Sequence, residues 1–555
     1  MPSSSALGGI SLRTFRRWLL DQTGFETGFQ LGMVTDVERW RIPEGGSYYI
    51  LDFMIDQPGE LRRRGAVQPQ SGSVIPPGIP SGSRAVWTAV FCPNFPSNPR
   101  VLGIASNGAA SRFLYDVTVD TGAQLIAEID IEPYENPQTF IPGRGGAMTI
   151  LTSGDPSVIV GPKKVTWGGS AVQVSDLGGN PPTARRSSTH LEYVVLANDG
   201  GDHMNRLWWS QPGDPETWNP TVNFADVPEP ITAIIEFQGS LLVWTRTKLY
   251  RVLGDVAPGE PDGNMSLQPV AGVGCVDARS VVKSSQGVYF ANEEGVFVTD
   301  GASVTNITLG KGQSITGLWR TLMMHFSTGL GNVVASGTFQ DLFLIVTIIK
   351  GINDVAVLLC YLPTGGWVLL SGATAGTMYA TQLGWGSAQY NLYNADLLVA
   401  SDGSIQMGKM ANVFDPSDSD AVDLGGAIIE PVWESRVLPG ASTGLKRFGY
   451  GRLVYQMTGR DFQSPHLQIY TNLGLQSEGV FQAVHEGFSM GKTTSSIPGE
   501  YRVERKRFKI FRNGTGFKLR IEQHGQSDFT SILGVEYEMA PFFAADLAGE
   551  AEGTS

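Results

Sequence analysis

Little in this chain points to covalent or metal cross-linking. Its 555 residues hold three cysteines, Cys92, Cys275 and Cys360, odd in number, far apart and set in apolar runs. That excludes a disulfide framework and the close pairs of a metal site, and it predicts buried thiols. Charged residues make up only 17%, where about 25% is usual. No apolar run nears the ~20 residues of a membrane-spanning helix; the longest, 342–349, is cut by Lys350, Gly351, Asn353 and Asp354. No secretory signal opens the chain, since polar Met1, Pro2, Ser3, Ser4 and Ser5 lead to Arg13, Arg16, Arg17 and Trp18 without an apolar stretch. The expectation is a product made soluble, in a cytoplasm. Positive charge is scarce as well. The 40 basic against 53 acidic residues give −13 and a pI near 5.0, which excludes gripping duplex DNA with the whole surface. Helical periodicity is nearly missing. Residues 12–20, with Phe15, Trp18 and Leu19 on one side and the arginines on another, read as a short docking helix or a turn of irregular arm.

Glycine and proline, by contrast, are abundant, at 69 and 32, beside 41% hydrophobic and 10% aromatic residues. That mixture fills a core and uses Gly and Pro as punctuation between strands. The length implies two or three domains. One pattern recurs: an apolar run of strand length, a polar turn with Gly, Asn or Asp, and a second apolar run, which is the hairpin signal. Copies span 101–119, 158–174, 193–209, 241–252, 288–298, 342–359 and 397–407, at steps of 57, 35, 48, 47, 54 and 55 residues. A loose period of about 40–50 residues built from antiparallel strands marks an all-β fold of the β-propeller type. Six or seven blades fit; stacked β-sandwiches are the alternative. Residues 1–85 fall outside the repeat and form an N-terminal arm and docking segment before a propeller at 86–426. From 427 to 545 the strands lengthen and alternate more cleanly, as in a C-terminal β-sandwich. The acidic, Gly-rich end, 546–555, is expected to be disordered.

Motifs for chemistry fail on inspection. Gly161, Pro162, Lys163, Lys164, Val165 and Thr166 lack the spacing and the helix of a phosphate loop. His190, His203, His325, His466, His485 and His524 stand singly. Asp415, Asp418, Asp420 and Asp423 lack the glycine and the distal Glu of a calcium loop and read as a solvated loop. No catalytic residue, cofactor or metal is therefore expected. One cluster stands out. Arg502, Arg505, Lys506, Arg507, Lys509, Arg512, Lys518 and Arg520 against Glu504 give residues 501–520 a net +7 in a chain of −13. This window reads as a surface that tracks phosphates, as a subunit face meeting a neighbour's acidic surface, or as a strand edge kept soluble by charge.

Two local resemblances follow. Ser210, Asp214 and Trp218 around Pro212 and Gly213 resemble the Asp-box turn of sialidase propellers, a structural motif, with Gly213 before the Asp instead of after it. Residues 205–219 as a whole, an aromatic strand leading into Ser, a Pro-Gly-Asp-Pro turn and an aromatic, are similar to a recurring segment of phage tail proteins. Residues 230–234, 239–245, and Gly272, Val273, Gly274 and Cys275 before Ser280, Val281 and Val282 continue that likeness, and residues 56–65 resemble the segment leading into the first blade. Over roughly 50–410 the chain thus resembles propeller-bearing bacteriophage tail proteins, the packaged-DNA stabilisation, hub and nozzle proteins of short-tailed phages. The resemblance implies a virion protein present as a ring, commonly of six copies, contacting other tail proteins and lining part of the channel that retains and conducts the genome. A net-negative ring suits that passage, since a basic lumen would hold phosphates. A platform in a long-tailed phage, or a carbohydrate-binding or carbohydrate-cleaving tip using Trp208, Trp209 and Trp218, are the alternatives.

Overall fold

The computed structural model describes residues 22–26, 31–55, 60–63, 67–69, 78–80, 83–91, 100–106, 111–116, 124–133, 139–140, 147–154, 158–253, 266–310, 314–324, 333–339, 343–349, 357–370, 378–381, 398–401, 407–410, 429–438, 446–458, 466–472, 482–489, 501–514, 516–524 and 530–541. The expected docking helix at 12–20, Cys92, His325, the Asp415–Asp423 cluster and the tail at 546–555 lie outside them.

The hairpins of the repeat become the middle strands of successive antiparallel sheets, seven among the described residues. Blade 1 runs Arg84–Phe91, Arg100–Ser106, Arg112–Asp116 and Gln124–Ile129; blade 2 runs Thr139–Phe140, Met148–Leu151, Lys163–Trp167 and Val172–Asp176. Blade 3 is Arg186–His190, Tyr193–Ala197, Arg206–Gln211 and Asp214–Trp218, and blade 4 is Ile231–Phe237, Ser240–Thr245, Leu249–Leu253 and Ser266–Ala271. Blade 5 comprises Val282–Ser284, Gly287–Asn292, Gly295–Thr299 and Val304–Asn306; blade 6 comprises Val333–Phe339, Phe343–Ile349, Val357–Tyr361 and Trp367–Leu370. Blade 7 has Met378–Thr381, Leu398–Ser401 and Met407–Met410 from its own stretch, and its fourth strand, Val67–Pro69, comes from the N-terminal segment.

In blades 1 to 5, apolar residues on both faces of the sheet are buried by packing blade on blade. One core joins Leu102, Ile104 and Leu114 of blade 1 to Leu151 and Val165 of blade 2. The next joins Met148 and Ile150 to Val194 and Leu196 of blade 3. Trp209 and Val195 then meet Leu241 and Val243 of blade 4, and Trp244 and Leu242 meet Phe290 and Val288 of blade 5. The first strand of blade 7 lies against those of blades 6 and 1, so the ring closes. The strand from far upstream hydrogen-bonds to the outer edge of the last blade, which ties blade 7 to the start of the chain.

The repeat slips once. The turn expected at Gly161, Pro162 and Lys163 precedes strand Lys163–Trp167, and the hairpin that follows turns near Gly169, at φ +89°. The equivalent of the other hairpins in blade 2 is Met148–Leu151 with Lys163–Trp167. Its start at 148 evens the irregular steps of 57 and 35 to 47 and 45.

The remaining strands form the β-sandwich. One sheet has the order Tyr501–Gly514, Lys446–Thr458, Thr530–Pro541, Leu61–Arg63, Phe53–Met54, with Gln22–Glu26 also on Thr530–Pro541. The other runs Gly32–Met33, Gly46–Leu51, Val432–Ser435, Lys518–His524, His466–Asn472, Gln482–Ser489, and it is continuous with blade 6, because Gly32 pairs in parallel with Trp367. The N-terminal segment is therefore woven into the sandwich and then into the ring. The seam needs glycine. A Cβ on Gly32, at φ +64°, would lie 2.6 Å from the Trp367 nitrogen, and one on Gly366 would lie 2.6 Å from the Leu31 carbonyl oxygen. A single apolar core runs across the seam, from Tyr289 and Trp319 through Val346, Leu359 and Trp367 to Trp433, Leu453, Phe508 and Val535.

Tryptophan and one aspartate lock this junction. The indole N–H of Trp319 donates to the Asn292 carbonyl, that of Trp367 to the Ile307 carbonyl, and that of Trp433 to Ser47 Oγ, at 3.0, 3.0 and 2.8 Å. Asp36 accepts from the backbone N–H of Thr316 at 2.9 Å and of Gly317 at 2.7 Å, and from the Ser314 hydroxyl. It thereby satisfies the first donors of helix Thr316–Met324 from 280 residues upstream, where the helix carries no acidic residue in its own first turn.

Candidate functional site

Most of the expected basic surface lies on one long strand at the edge of its sheet. Tyr501–Gly514 is the outer strand of its sheet, 14 residues long, and pairs only with Lys446–Thr458 in the described sheet order. Phe508 and Ile510 point into the core, while Arg505, Arg507 and Lys509 are exposed on the other face. Arg502 pairs in register with Met457, Lys506 with Leu453 and Arg512 with Phe448, and their side chains lie outside the described residues. Three of the six, Arg505, Arg507 and Lys509, thus share one exposed face. Lys518 is buried at 1% exposure, and burial lowers its ammonium pKa, with Arg39 adding to the shift. Arg520 joins Glu434 at 3.1 Å and also Glu522, and Glu434 in turn holds buried Arg39 at 3.0 Å, a polar knot between the N-terminal segment and the sandwich.

On the exposed face the neighbouring strands contribute charge of their own. Arg452 bonds Glu536 at 3.4 Å and Glu538 at 3.0 Å, and Arg505 bonds Glu536 at 3.3 Å. Arg507 stacks its guanidinium 3.2 Å from the Tyr450 ring centroid. With Arg447 also exposed, cations outnumber carboxylates on this face among the described residues. Partly exposed pairs of this kind add little stability, about 0–1 kcal/mol each.

A second polar constellation, absent from the sequence reading, sits on the inner strands of blades 3, 4 and 5. The Thr189 hydroxyl donates to Glu236 Oε2 at 3.1 Å, and Arg186 Nε donates across the same blade boundary to the Thr232 carbonyl at 2.6 Å. Burial raises the Glu236 carboxyl, opposed by the Thr189 bond, by Lys283 and by the Leu191 N–H. Burial lowers the Lys283 ammonium from 10.5 to about 8, against the pull of Glu236. Leu191, at the adjoining turn, is half exposed and sits at φ +52°, a strained setting for its Cβ. Thr189, Glu236 and Lys283 recur at intervals of 47 residues, one blade each. That equal phase was the available signal. Chemically the trio is a carboxyl in hydrogen-bond contact with a hydroxyl, and an ammonium within electrostatic reach on the neighbouring inner strand.

The tryptophans considered for sugar stacking are placed otherwise. Trp208 and Trp209 are buried, and half-buried Trp218 donates its indole N–H to the Pro215 carbonyl at 2.8 Å. Around them, Ser210 Oγ accepts from the Val194 N–H at 3.1 Å and Asp214 accepts from the Glu216 N–H at 3.0 Å, so this segment is a locked hairpin tip. Cys275 and Cys360 are buried; burial pushes the Cys275 thiol up to about 12 and raises Cys360 as well. His190 is buried on the inner strand of blade 3 and His203 exposed at a turn.

Comparison with protein-family models and with curated proteins gives no match. Among solved structures, the chain is similar to an exo-β-1,3-galactanase from Phanerochaete chrysosporium with galactose, at 11% identity and a TM-score of 0.26, covering 86% of this chain and 100% of that one. A likeness that shallow assigns no chemistry to any residue here. What the strand pairing itself defines is an all-β propeller fused to a β-sandwich.

Proposed function

We propose that the chain is a non-enzymatic structural subunit of a bacteriophage tail, a nozzle or hub protein whose copies form a ring around the DNA channel, retaining the packaged genome and conducting it on ejection. The observation that carries this reading is the unbroken ten-stranded sheet from blade 6 through the N-terminal strand into the sandwich. Backbone hydrogen bonds and one shared core make the two lobes a stiff unit, which suits a part that bears load. The likeness of residues 205–219 to phage tail segments and the net charge of −13, which repels passing phosphates, support the same conclusion. Trp208 and Trp209 lie in the core, so the carbohydrate-tip alternative would have to use half-buried Trp218. Cryo-electron micrographs of particles made without this chain test the proposal. Truncated tails on emptied capsids are expected; full-length tails on filled capsids would reject it.

A further inference from the structure

The charge of this chain is distributed unevenly. Residues 427–545 carry 14 Lys and Arg against 11 Asp and Glu, a net +3, which leaves −16 on the rest. The excess cations of the sandwich gather on one exposed sheet face, where Arg447, Arg452, Arg505, Arg507 and Lys509 face only Glu536 and Glu538 among the described residues. Alternate residues of a strand lie about 6.8 Å apart, so Arg505, Arg507 and Lys509 form a straight cationic row along the outermost strand.

A complementary feature lies on the propeller rim. The outer strands of blades 1 and 2, Gln124–Ile129 and Val172–Asp176, border an open groove of about 590 Å³ lined by Ser111, Glu128, Asp130, Lys163, Ser175 and Asp176 among others. Lys163 spans Asp130 at 3.1 Å and Asp176 at 2.7 Å, which leaves the three carboxylates in excess of the one ammonium. Glu128, Asp130 and Asp176 are all exposed, Asp176 at 84% of its side chain.

We propose that the basic sandwich face of one copy docks into the acidic rim groove between blades 1 and 2 of a second copy, head to tail. The contact rests on the ring reading above and names its two faces. Charge complementarity argues for this occupant, since the acidic surface is supplied by the chain itself. The two faces are different surfaces of one molecule, so the contact is heterologous and each copy keeps one free face until a ring closes. Attraction between such faces chiefly steers encounter and fixes register, and it weakens with salt.

Sedimentation velocity on the full chain tests this, with Arg507→Glu/Lys509→Glu as one variant and Glu128→Lys/Asp176→Lys as the other. Both spare Arg505, bonded to Glu536, and Asp130, which keeps its bond to Lys163. Circular dichroism and melting confirm that each variant is folded. Each alone is expected to weaken self-association at least tenfold, and an equimolar mixture to restore it, because every contact in an alternating ring is then oppositely charged. Variants that assemble like the wild type would overturn the contact and leave the ring intact. A wild-type chain that stays monomeric from low to physiological salt would overturn both. Should the wild type bind a short DNA duplex through Arg507 and Lys509 while both variants still self-associate, the face is a phosphate site and the proposal is wrong.

Discussion

Replacing Gly366 by Ala tests whether the seam between propeller and sandwich is as tight as the strand pairing requires. The new Cβ would sit 2.6 Å from the Leu31 carbonyl oxygen, 2.7 Å from its carbon and 2.8 Å from the Gly32 nitrogen. All three atoms are backbone, so the strand Gly32–Met33 must move away from Trp367 for the methyl to fit. Overpacking of that kind costs about 1–3 kcal/mol. Gly32→Ala meets Trp367 backbone at 2.6 and 2.7 Å and adds the left-handed backbone at φ +64°, a further ~1–2 kcal/mol. Gly272→Ala, with nothing within 4 Å, is the control. The assay is native-state hydrogen exchange of amides in Trp367–Leu370 and Gly46–Leu51. A loss of about 1–3 kcal/mol corresponds to roughly 5- to 150-fold faster exchange there, with blades 3 and 4 unchanged. Exchange in Gly366→Ala that matches Gly272→Ala would refute the seam.

Asp36→Ala should cost about 1–2 kcal/mol by leaving the first N–H groups of Thr316–Met324 to water, read as a lower urea midpoint, with Asp36→Asn recovering part of it. Lys283 predicts a pH dependence. Its folded pKa of about 8 lies below the ordinary 10.5, so the unfolded chain holds the proton more tightly between the two. Stability gained from this group should therefore rise as pH climbs from 8 to 10.5, by about 3 kcal/mol, and be missing below 8. The difference in melting curves between wild type and Lys283→Met isolates it, and a flat difference across that window would contradict the assignment. Trp319→Phe removes the indole bond to the Asn292 carbonyl and leaves that acceptor buried, for about 1–3 kcal/mol. Its melting temperature should fall well beyond that of Trp40→Phe, at the half-exposed Trp40.

The blades were legible because a hairpin is local. The turns at 198–201, 245–247 and 292–295 each join the strands they were expected to join. Blade 2 slipped because Gly161 and Pro162 imitate a turn, whereas the true hairpin loop, across 152–162, is long. Pairings such as Val67–Pro69 with Met407–Met410, or Gly32 with Trp367, join residues more than 300 apart and leave no local signature. The basic window was visible as composition, but the exposed row of Arg505, Arg507 and Lys509 beside buried Phe508 and Ile510 follows from the strand they share. Thr189, Glu236 and Lys283 escaped notice because each alone is an ordinary polar residue, and only their shared phase in the repeat brings them together.

A cryo-electron reconstruction of the purified full chain at low salt is the most direct measurement. It should show copies joined in a closed ring, each with seven radial sheets about its own axis and a second lobe rooted on the sixth. Separate monomers, or a lobe that swings freely from the sixth sheet, would contradict the account.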